Sequence, residues 1–447
     1  MRLQSLAARL RTILLDDEEF AIVLHGAGLA LAIRVLASAI GYASLILLAR
    51  WMGSSEYGYY NFAVAWMALL AYPTTLGLPG AAVPFVAKYA AADDWQHVTG
   101  FLGTSSRLVV CNSAVVALLA ILAVLYFKVY LDPGYIVPTI TALAGMPLVA
   151  LSTVRSEAIR GLGLLVLAWS PSRLGQPLSL LLFAAATVFI TQKLSATMVI
   201  GASVLAYLIM IIFQNGALDV RLGTRLRVEP KTNTRLWLVT ALSFVWIYAA
   251  INVLGQSPVI IIGFLLTPKD VAVYSAAAAT AGVVSFPLEA TSALSAPRFA
   301  ALHARKRPGE LVSLLANVVR WTFWPSLTVA VILIAFGPIV LRLFGPEFEK
   351  GYVLLVILTS GQLVNAAVGP VGVLLSMTGH QALTAWVLGI CAILGVVLGL
   401  ALTQIWGSVG TAFAFSGAMV LWNAALLILV SRKFDIYPSL RGAFLGW

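Results

Sequence analysis

The sequence predicts an all-α polytopic membrane protein with about 12 transmembrane helices, arranged as two pseudo-symmetric lobes of six helices each. Of its 447 residues, 61% are hydrophobic and only 10% are charged, whereas a soluble domain carries about 25% charged residues. Apolar stretches recur at lengths that cross a bilayer, which takes about 20 residues. In addition, the second half of the chain repeats a pattern of charged, tyrosine and proline residues from the first half.

The repeat is carried by residue types that are uncommon in this apolar chain. The matched pairs are Glu56 and Asp270, Tyr60 and Tyr274, Pro73 and Pro287, Pro84 and Pro297, and Arg107 and Arg320. Their offsets of 213 or 214 positions are close to half of the chain. Tyrosine, proline and arginine recurring in the same order indicate a duplication. An even number of spans in each half makes the repeats parallel, related by an axis along the membrane normal.

A ruler of about 20 apolar residues divides each half into six spans. The first six predicted spans are 28–50, 58–78, 99–127, 135–153, 164–190 and 196–217. The second six are 236–264, 271–292, 311–336, 352–375, 382–403 and 407–430. Of these, the fourth is short and the fifth is interrupted by prolines and polar residues.

These spans divide the chain into five parts. The parts are a cytoplasmic N-terminal arm at 1–27, a first lobe with helices 1–6 at 28–217, a basic cytoplasmic linker at 218–235, a second lobe with helices 7–12 at 236–430, and a cytoplasmic C-terminal tail at 431–447. With the N-terminus inside, 18 Lys and Arg fall on the cytoplasmic side and 6 on the other. Because cytoplasmic loops carry the excess of positive charge, both termini are predicted to be cytoplasmic. Topology thus explains the net charge of +11, and no nucleic-acid partner is expected.

Four arginines fall within the predicted spans, at Arg34, Arg107, Arg173 and Arg320. A charge at the bilayer centre costs about 2.5–3.5 kcal/mol even on lenient scales, so such residues usually face a bundle interior or a wet cavity. The alternative is that their long side chains reach the membrane surface. Of the 17 acidic residues, only Glu289 is predicted to lie within a span. A cavity lined by arginines with few carboxylate partners would attract anions, and the guanidinium fork matches phosphate oxygens.

The fifth span is broken in its middle by Pro171, Gly175 and Pro177, with Arg173 and Gln176 between them. A broken helix at membrane depth is tolerated where it lines a cavity or is buried in protein. The corresponding stretch of the second half is apolar, so the first lobe is predicted to be more specialised for a ligand. A purely structural kink is the alternative. Gln176 joins the four arginines as a predicted substrate-binding residue.

No pattern of catalytic or cofactor-binding residues stands out elsewhere. The phosphate-loop pattern G-x-x-x-x-G-K-[ST] is absent from the sequence, which argues against an ATPase activity of the chain itself. The four histidines do not cluster at metal-ligand spacing, and no Ser/His/Asp or paired-carboxylate arrangement stands out. The sequence therefore predicts a protein that is not an enzyme and uses no cofactor or metal.

Several short motifs resemble the polysaccharide transporter family. They are 47–60 (LLARWMGSSEYGYY), 76–80 (LGLPG) and 84–88 (PFVAK) in the first half, and 269–275 (KDVAVYS), 296–297 (AP) and 343–348 (LFGPEF) in the second. That family holds the O-antigen (Wzx-type) flippases and belongs to the multidrug/oligosaccharidyl-lipid/polysaccharide exporter superfamily. The resemblance covers nearly the whole chain.

The resemblance implies a two-lobed, V-shaped transporter with a cationic central cavity. Its members are thought to flip polyprenyl-pyrophosphate-linked oligosaccharides by alternating access. The expected location is the bacterial inner (plasma) membrane, crossed many times. Expected partners are the lipid-linked glycan, the bilayer and enzymes of polysaccharide biosynthesis.

Two other functions stay open at this point. The first is an ion-coupled multidrug exporter of the same superfamily, which would be expected to carry buried carboxylates in the first lobe if its substrates were cationic. The second is a membrane glycan polymerase or ligase, which would need a large extracytoplasmic loop, whereas every predicted outer loop is short.

Overall fold

The computed structural model describes the backbone of residues 18–434 and the side chains of 37–433 except those of residues 172, 173, 243 and 308. The predicted N-terminal arm up to residue 17 and the predicted tail from residue 435 lie outside the described residues. Within the described part, the regular elements are helical and no strand occurs. The all-α prediction is confirmed. A long apolar chain folds this way because a membrane-spanning helix satisfies its backbone hydrogen bonds internally.

The first half of the chain forms seven α-helices. They are α1 (Glu18–Thr74), α2 (Leu78–Ala91), α3 (Trp95–Tyr126), α4 (Pro133–Gly161), α5 (Leu165–Ser170), α6 (Gln176–Thr191) and α7 (Ala196–Leu226). The second half forms eight. They are α8 (Thr234–Leu265), α9 (Pro268–Gly282), α10 (Phe286–Ala304), α11 (Pro308–Arg342), α12 (Tyr352–Val368), α13 (Val371–Met377), α14 (Gln381–Trp406) and α15 (Ser408–Phe434).

The long helix α1 contains two of the predicted spans, joined at Gly53. This residue has φ +77° and ψ 167°, a left-handed backbone that glycine adopts without a Cβ penalty. We call the end of the molecule at which α1 turns, and at which α8 connects to α9, the Gly53 end. We call the opposite end, where α4 connects to α5, the Arg160 end.

Nine helices of the described part are long and apolar enough to cross a membrane. A tenth span is added if the bent pair 37–74 and Leu78–Ala91, which meet at 49°, counts as one. The shorter apolar helix α6 completes the interrupted fifth span, because a turn of π-helix at Pro171–Gly175 separates it from α5. The chain is therefore a multi-pass membrane protein, and the total of 12 spans stays a prediction.

Two helices of the first half continue well beyond the predicted spans. Helix α4 runs to Gly161, eight residues past the predicted end at 153, and α7 runs to Leu226 rather than to 217. The connector between the halves is consequently only 227–233. A span predicted from hydropathy ends at the first charged residues. The helix itself continues into water where residues of high helix propensity, such as leucine and arginine, follow.

Each half has its own packing centre, and α1 joins the two. In the first half α4 packs against α1, α2, α3 and α7, and in the second half α15 packs against α12 and α14. Helix α1 packs against both α8 and α9. Helix α8 also bridges the halves: near the Arg160 end Trp237 Nε1 donates to Tyr89 Oη of α2 at 3.0 Å, while near the Gly53 end Ile261 packs with Phe415 of α15.

Candidate functional site

Five arginines within helices lie at one level of the molecule. Arg34 lies 19 residues before Gly53, Arg107 19 before Tyr126, Arg155 22 after Pro133, Arg173 18 before Thr191, and Arg320 22 before Arg342. At 1.5 Å per residue, each lies about 27–33 Å from the Gly53 end of its helix. The hydrocarbon core of a bilayer is about 30 Å thick. The backbones of these arginines thus lie about one hydrocarbon thickness from the Gly53 end, not half of it.

Arg107 and Arg320 occupy equivalent positions in two corresponding helices. Each lies 12 residues after the first residue of its helix, and both side chains are exposed. Arg107 lies on the side of α3 opposite to the buried stripe. Arg320 is followed on α11 by Trp321 and Trp324, which are 74% and 52% exposed. Neither arginine is enclosed by helices of its own half, and the tryptophans suit a membrane interface.

The other three predicted residues are Arg34 in α1, Arg173 in the π-helical turn of the fifth span, and Gln176 directly after that turn. The side chains of Arg34 and Arg173 lie outside the described residues, so the structure gives their backbone positions only. Gln176 is half-buried and begins α6, directly after the π-helical turn. The structure thus places Arg173 and Gln176 together at a real helix interruption.

Arg155 of α4 is a candidate that sequence reasoning missed. Its Nε and Nη1 atoms are buried and make no hydrogen bond within the described part of the chain, while Asp219 of α7 acts on it electrostatically. A buried guanidinium with unused donors is costly unless another group pairs with it. The predicted spans leave Arg155 in a cytoplasmic connector, because hydropathy falls after residue 153. The absence of proline and glycine from 154–160 is the signal that the helix continues.

Carboxylates also lie within first-half helices, among them Glu157 of α4 and Asp219 of α7. Glu157 belongs to α4 and is paired with Arg160 one turn later, at 2.6 Å between Oε2 and Nη2. The Glu157 side chain is 24% exposed. Tyr248 of α8 lies within electrostatic range of both residues, and its ring stacks on Tyr72 of α1 at a centroid distance of 6.3 Å. This cluster joins the two halves at the Arg160 end.

A cavity of 580 Å³ lies within the second half, between α8, α9, α10 and α12 to α15. Its walls are mainly apolar, with amide and hydroxyl side chains between them. Sequence reasoning favoured the first half as the specialised one and gave no sign of this cavity, since its lining comes from seven separate helices. Among the described residues, no group of three His, Cys, Asp or Glu side chains could hold a metal ion.

The two halves are closed against each other at the Gly53 end. The side-chain contacts that cross between them include Tyr42 Oη with Thr280 Oγ1 at 2.8 Å and the ring of Tyr57 with that of Phe348 at 6.0 Å. Ser54 Oγ also donates to a Glu347 carboxylate oxygen. Tyr57 and Phe348 are almost completely buried. A ligand that enters between the halves would therefore have to come from elsewhere than this end.

Comparisons with known proteins agree with this architecture. The sequence model of one family, described as "Polysaccharide biosynthesis protein", matches residues 23–303, which is more than half of the chain. No curated protein matches the sequence. Among solved structures, the fold is similar to an inward-facing multidrug resistance MATE family transporter of the MOP superfamily, with TM-score 0.71, 15% identity and coverage of 92% of this chain and 98% of that one.

Two further solved structures share the fold. The lipid II flippase MurJ, in an inward closed conformation, has TM-score 0.68 and 13% identity, over 93% of this chain and 91% of that one. A MOP superfamily transporter from Pyrococcus furiosus, described as having a binding pocket of reverse polarity, has TM-score 0.61 and 14% identity, over 91% and 95% of the two chains. At these identities the likeness concerns the fold.

Proposed function

From the premise that this chain belongs to the polysaccharide biosynthesis protein family, we propose that it is a flippase for a polyprenyl-pyrophosphate-linked oligosaccharide. The family and the fold make it a membrane transporter or flippase. Its lipid-linked substrate, its place in the bacterial inner membrane, its cytoplasmic termini and its work beside polysaccharide biosynthesis enzymes are parts of the proposal.

The observation that carries the proposal is the half-buried Arg155, in which two guanidinium nitrogens are buried without a partner in the described part of the chain. Its Nε and Nη1 donors are unused within the described part of the chain, and guanidinium donors pair well with phosphate oxygens. The pyrophosphate of a carrier lipid lies at the boundary between hydrocarbon and head groups. Arg155 lies at the same depth, about 33 Å from the Gly53 end of α4. A pyrophosphate reaching Arg155 would therefore use the donors that the protein leaves free.

We assign the remaining predicted residues to the same level. Arg34, Arg173 and Gln176 stand with Arg155 in the first half, and we propose that they share the pyrophosphate. The side chains of Arg107 and Arg320 are exposed on α3 and α11. Their proposed role is to attract the head group at the membrane boundary. Reaching toward ordinary lipid phosphates is the competing role for this exposed pair, and mutation separates the two.

Transport would follow by alternating access. The lobes at 28–217 and 236–430 rock against each other about the axis along the membrane normal, while the polyprenyl tail stays in lipid. We take the closed Gly53 end as the outer end, because the charge count of 18 against 6 places the Arg160 end in the cytoplasm. In this conformation the substrate would enter from the cytoplasmic side.

One observation favours the second candidate function, an ion-coupled multidrug exporter. Glu157 is a carboxylate in a first-half helix, where such an exporter would be expected to bind a proton or a cation. However, Glu157 is already paired with Arg160 at 2.6 Å, so it is not free in this conformation. The pair therefore fits a structural contact better than a coupling site.

The decisive experiment deletes the gene and analyses the lipid-linked glycans in each leaflet. Loss of a flippase should trap a polyprenyl-pyrophosphate glycan in the inner leaflet, protected from probes outside. Loss of a polymerase or ligase would instead leave glycan in the outer leaflet, and loss of a drug exporter would trap none. Complementation with wild type and with Arg155→Gln, at equal protein levels, connects the result to the site.

A further inference from the structure

The 580 Å³ cavity of the second half has the size of a ligand site. Pockets for small ligands measure about 300–1,000 Å³ and combine apolar walls with a few convergent polar groups. The cavity is separate from the proposed pyrophosphate site, because the arginines of that level do not line it. Its lining comes from α8, α9, α10 and α12 to α15.

The lining selects against charged ligands. Among the described residues that form it, none carries a charged side chain at neutral pH. A buried anion or cation without an opposite charge would be strongly disfavoured there. This disfavours the pyrophosphate of a carrier lipid and also a cationic drug as the natural occupant.

Three polar side chains in the cavity have hydrogen-bonding capacity that the protein does not use. Thr384 of α14 is 4% exposed, and its Oγ1 has no partner within the described part of the chain. Gln362 and Asn365 lie one turn apart on α12, and their half-buried side-chain amides make no hydrogen bond to described residues. A hydrocarbon chain in the cavity would leave all three unsatisfied, which is costly.

Aromatic rings supply the rest of the recognition chemistry. Trp422, half-buried on α15, lines the cavity together with the buried rings of Tyr274 and Phe415. A sugar ring presents an apolar C–H face that packs on such rings and a rim of hydroxyl or acetamido groups. Amide and hydroxyl side chains can both donate to and accept from that rim. Uncharged polar groups between aromatic walls therefore match a neutral sugar.

We propose that this cavity binds an uncharged sugar residue, a hexose or N-acetylhexosamine, of the transported glycan. The inference rests on the proposed function, because it takes the glycan to be the cargo. It assigns the two ends of that cargo to different halves: pyrophosphate to the first-half arginines, and sugar to Thr384, Gln362 and Asn365. The first and second halves would then each hold a part of the substrate during transport.

The test uses the full-length chain in nanodiscs of phosphatidylethanolamine and phosphatidylglycerol, since sugar detergents would compete. Saturation-transfer NMR is recorded with chitotriose and maltotriose, and with farnesol and tetraphenylphosphonium as probes of the rival occupants. We expect at least one trisaccharide to bind. Because a hydrogen bond contributes about 0.5–1.5 kcal/mol, Thr384→Val and Asn365→Leu should each weaken its binding about two- to twelvefold.

The chain offers a matched control for the threonine variant. Thr359 of α12 is fully buried and its Oγ1 also lacks a partner, but it does not line the cavity. Thr359→Val should therefore leave sugar binding unchanged. Absence of binding by both trisaccharides overturns the inference, as does equal binding by the Thr384→Val variant. The inference is also overturned if farnesol or tetraphenylphosphonium binds and this binding is lost in Thr384→Val or Asn365→Leu.

The outcomes separate this inference from the proposed function. If deletion of the gene traps lipid-linked glycan in the inner leaflet and no trisaccharide binds, the flippase function is supported and the sugar site is overturned. If a trisaccharide binds but no glycan is trapped, the sugar site is supported and the flippase function is overturned.

Discussion

Gly58 of α1 lies so close to Pro268, the first residue of α9, that a Cβ on Gly58 would come within 1.9 Å of the Pro268 carbonyl oxygen. This contact joins the first half of the chain to the second at the Gly53 end. No side chain could occupy that space without moving backbone. Glycine at position 58 therefore permits a close approach of the two halves on the side that we propose to be external.

Replacing Gly58 with alanine should open the Gly53 end. The methyl group has no room beside the Pro268 carbonyl, so the halves must separate there, which favours the conformation open at that end. Spin-label distances across this end should lengthen by an ångström or more, and transport should fall. The control is Gly41→Ala on the same helix, where an added Cβ meets nothing within 4 Å. Equal spin-label distances in the wild type and the two variants would contradict the assignment of Gly58 to closure.

Removing the Arg155 charge should reduce transport while preserving or raising stability. In Arg155→Gln the pyrophosphate loses its fork, so transport should fall at least tenfold. The protein also loses two buried donors that have no partner within the described part of the chain, so its free energy of unfolding should not fall. Thermal unfolding in detergent and leaflet assays measure the two effects. Normal transport together with a lower Tm would assign Arg155 to folding instead of the substrate.

Arg107 and Arg320 should respond to charge reversal more than to charge-preserving changes. Arg→Lys keeps the positive charge and should transport better than Arg→Ala, while Arg→Glu should repel the phosphates and reduce transport severalfold. The same series at Arg34 and Arg173 tests the rest of the predicted set. Several arginines contribute to binding of the pyrophosphate in this proposal, so single changes should weaken transport without abolishing it. Normal transport by the Glu variants at all four positions, with normal protein levels, would exclude the shared anion site.

Acid should weaken the start of α3, through Asp94. Partial burial opposes ionisation of this residue, but hydrogen bonds from the His97 side chain and backbone hold the pKa of Asp94 below its ordinary value. A depressed pKa adds stability above the unfolded-state pKa, and that stability is lost as the pH falls through the folded-state value. Hydrogen exchange at the first turn of α3 should therefore rise in acid in the wild type. Asp94→Asn should remove this acid dependence, and an unchanged pH profile would refute the assignment.

Orientation can be tested with single cysteines in a background without Cys111 and Cys391. Cysteines at Lys128, Lys193 and Lys269, near the Gly53 end, should react with impermeant reagents from outside. A cysteine at Lys231, in the connector between the halves, should react only after permeabilisation. Labelling of position 231 from outside would show that the proposed orientation is inverted. The arginines would then lie near the external side instead of the cytoplasmic side.

The sequence alone determined the helical character of this chain, its interruptions and its approximate spans. Each of these follows from local physics. An apolar segment in a bilayer must form its backbone hydrogen bonds within itself, and Gly53, Pro171 and Gly175 bend or interrupt the helix that contains them. The sequence also predicts a duplication, because Tyr60 and Tyr274 recur in register. What these signals share is that they require only neighbouring residues or regular spacing.

Tertiary structure decided which polar groups are unused. Arg155 looked like a connector residue until α4 was seen to continue to Gly161, and Thr384 looked like any helical threonine until its surroundings supplied no partner. The contact of Gly58 with Pro268 joins residues more than 200 positions apart. Helix rotation and packing depend on side chains from many distant segments, so no local pattern encodes whether a given donor meets a partner, a cavity or lipid.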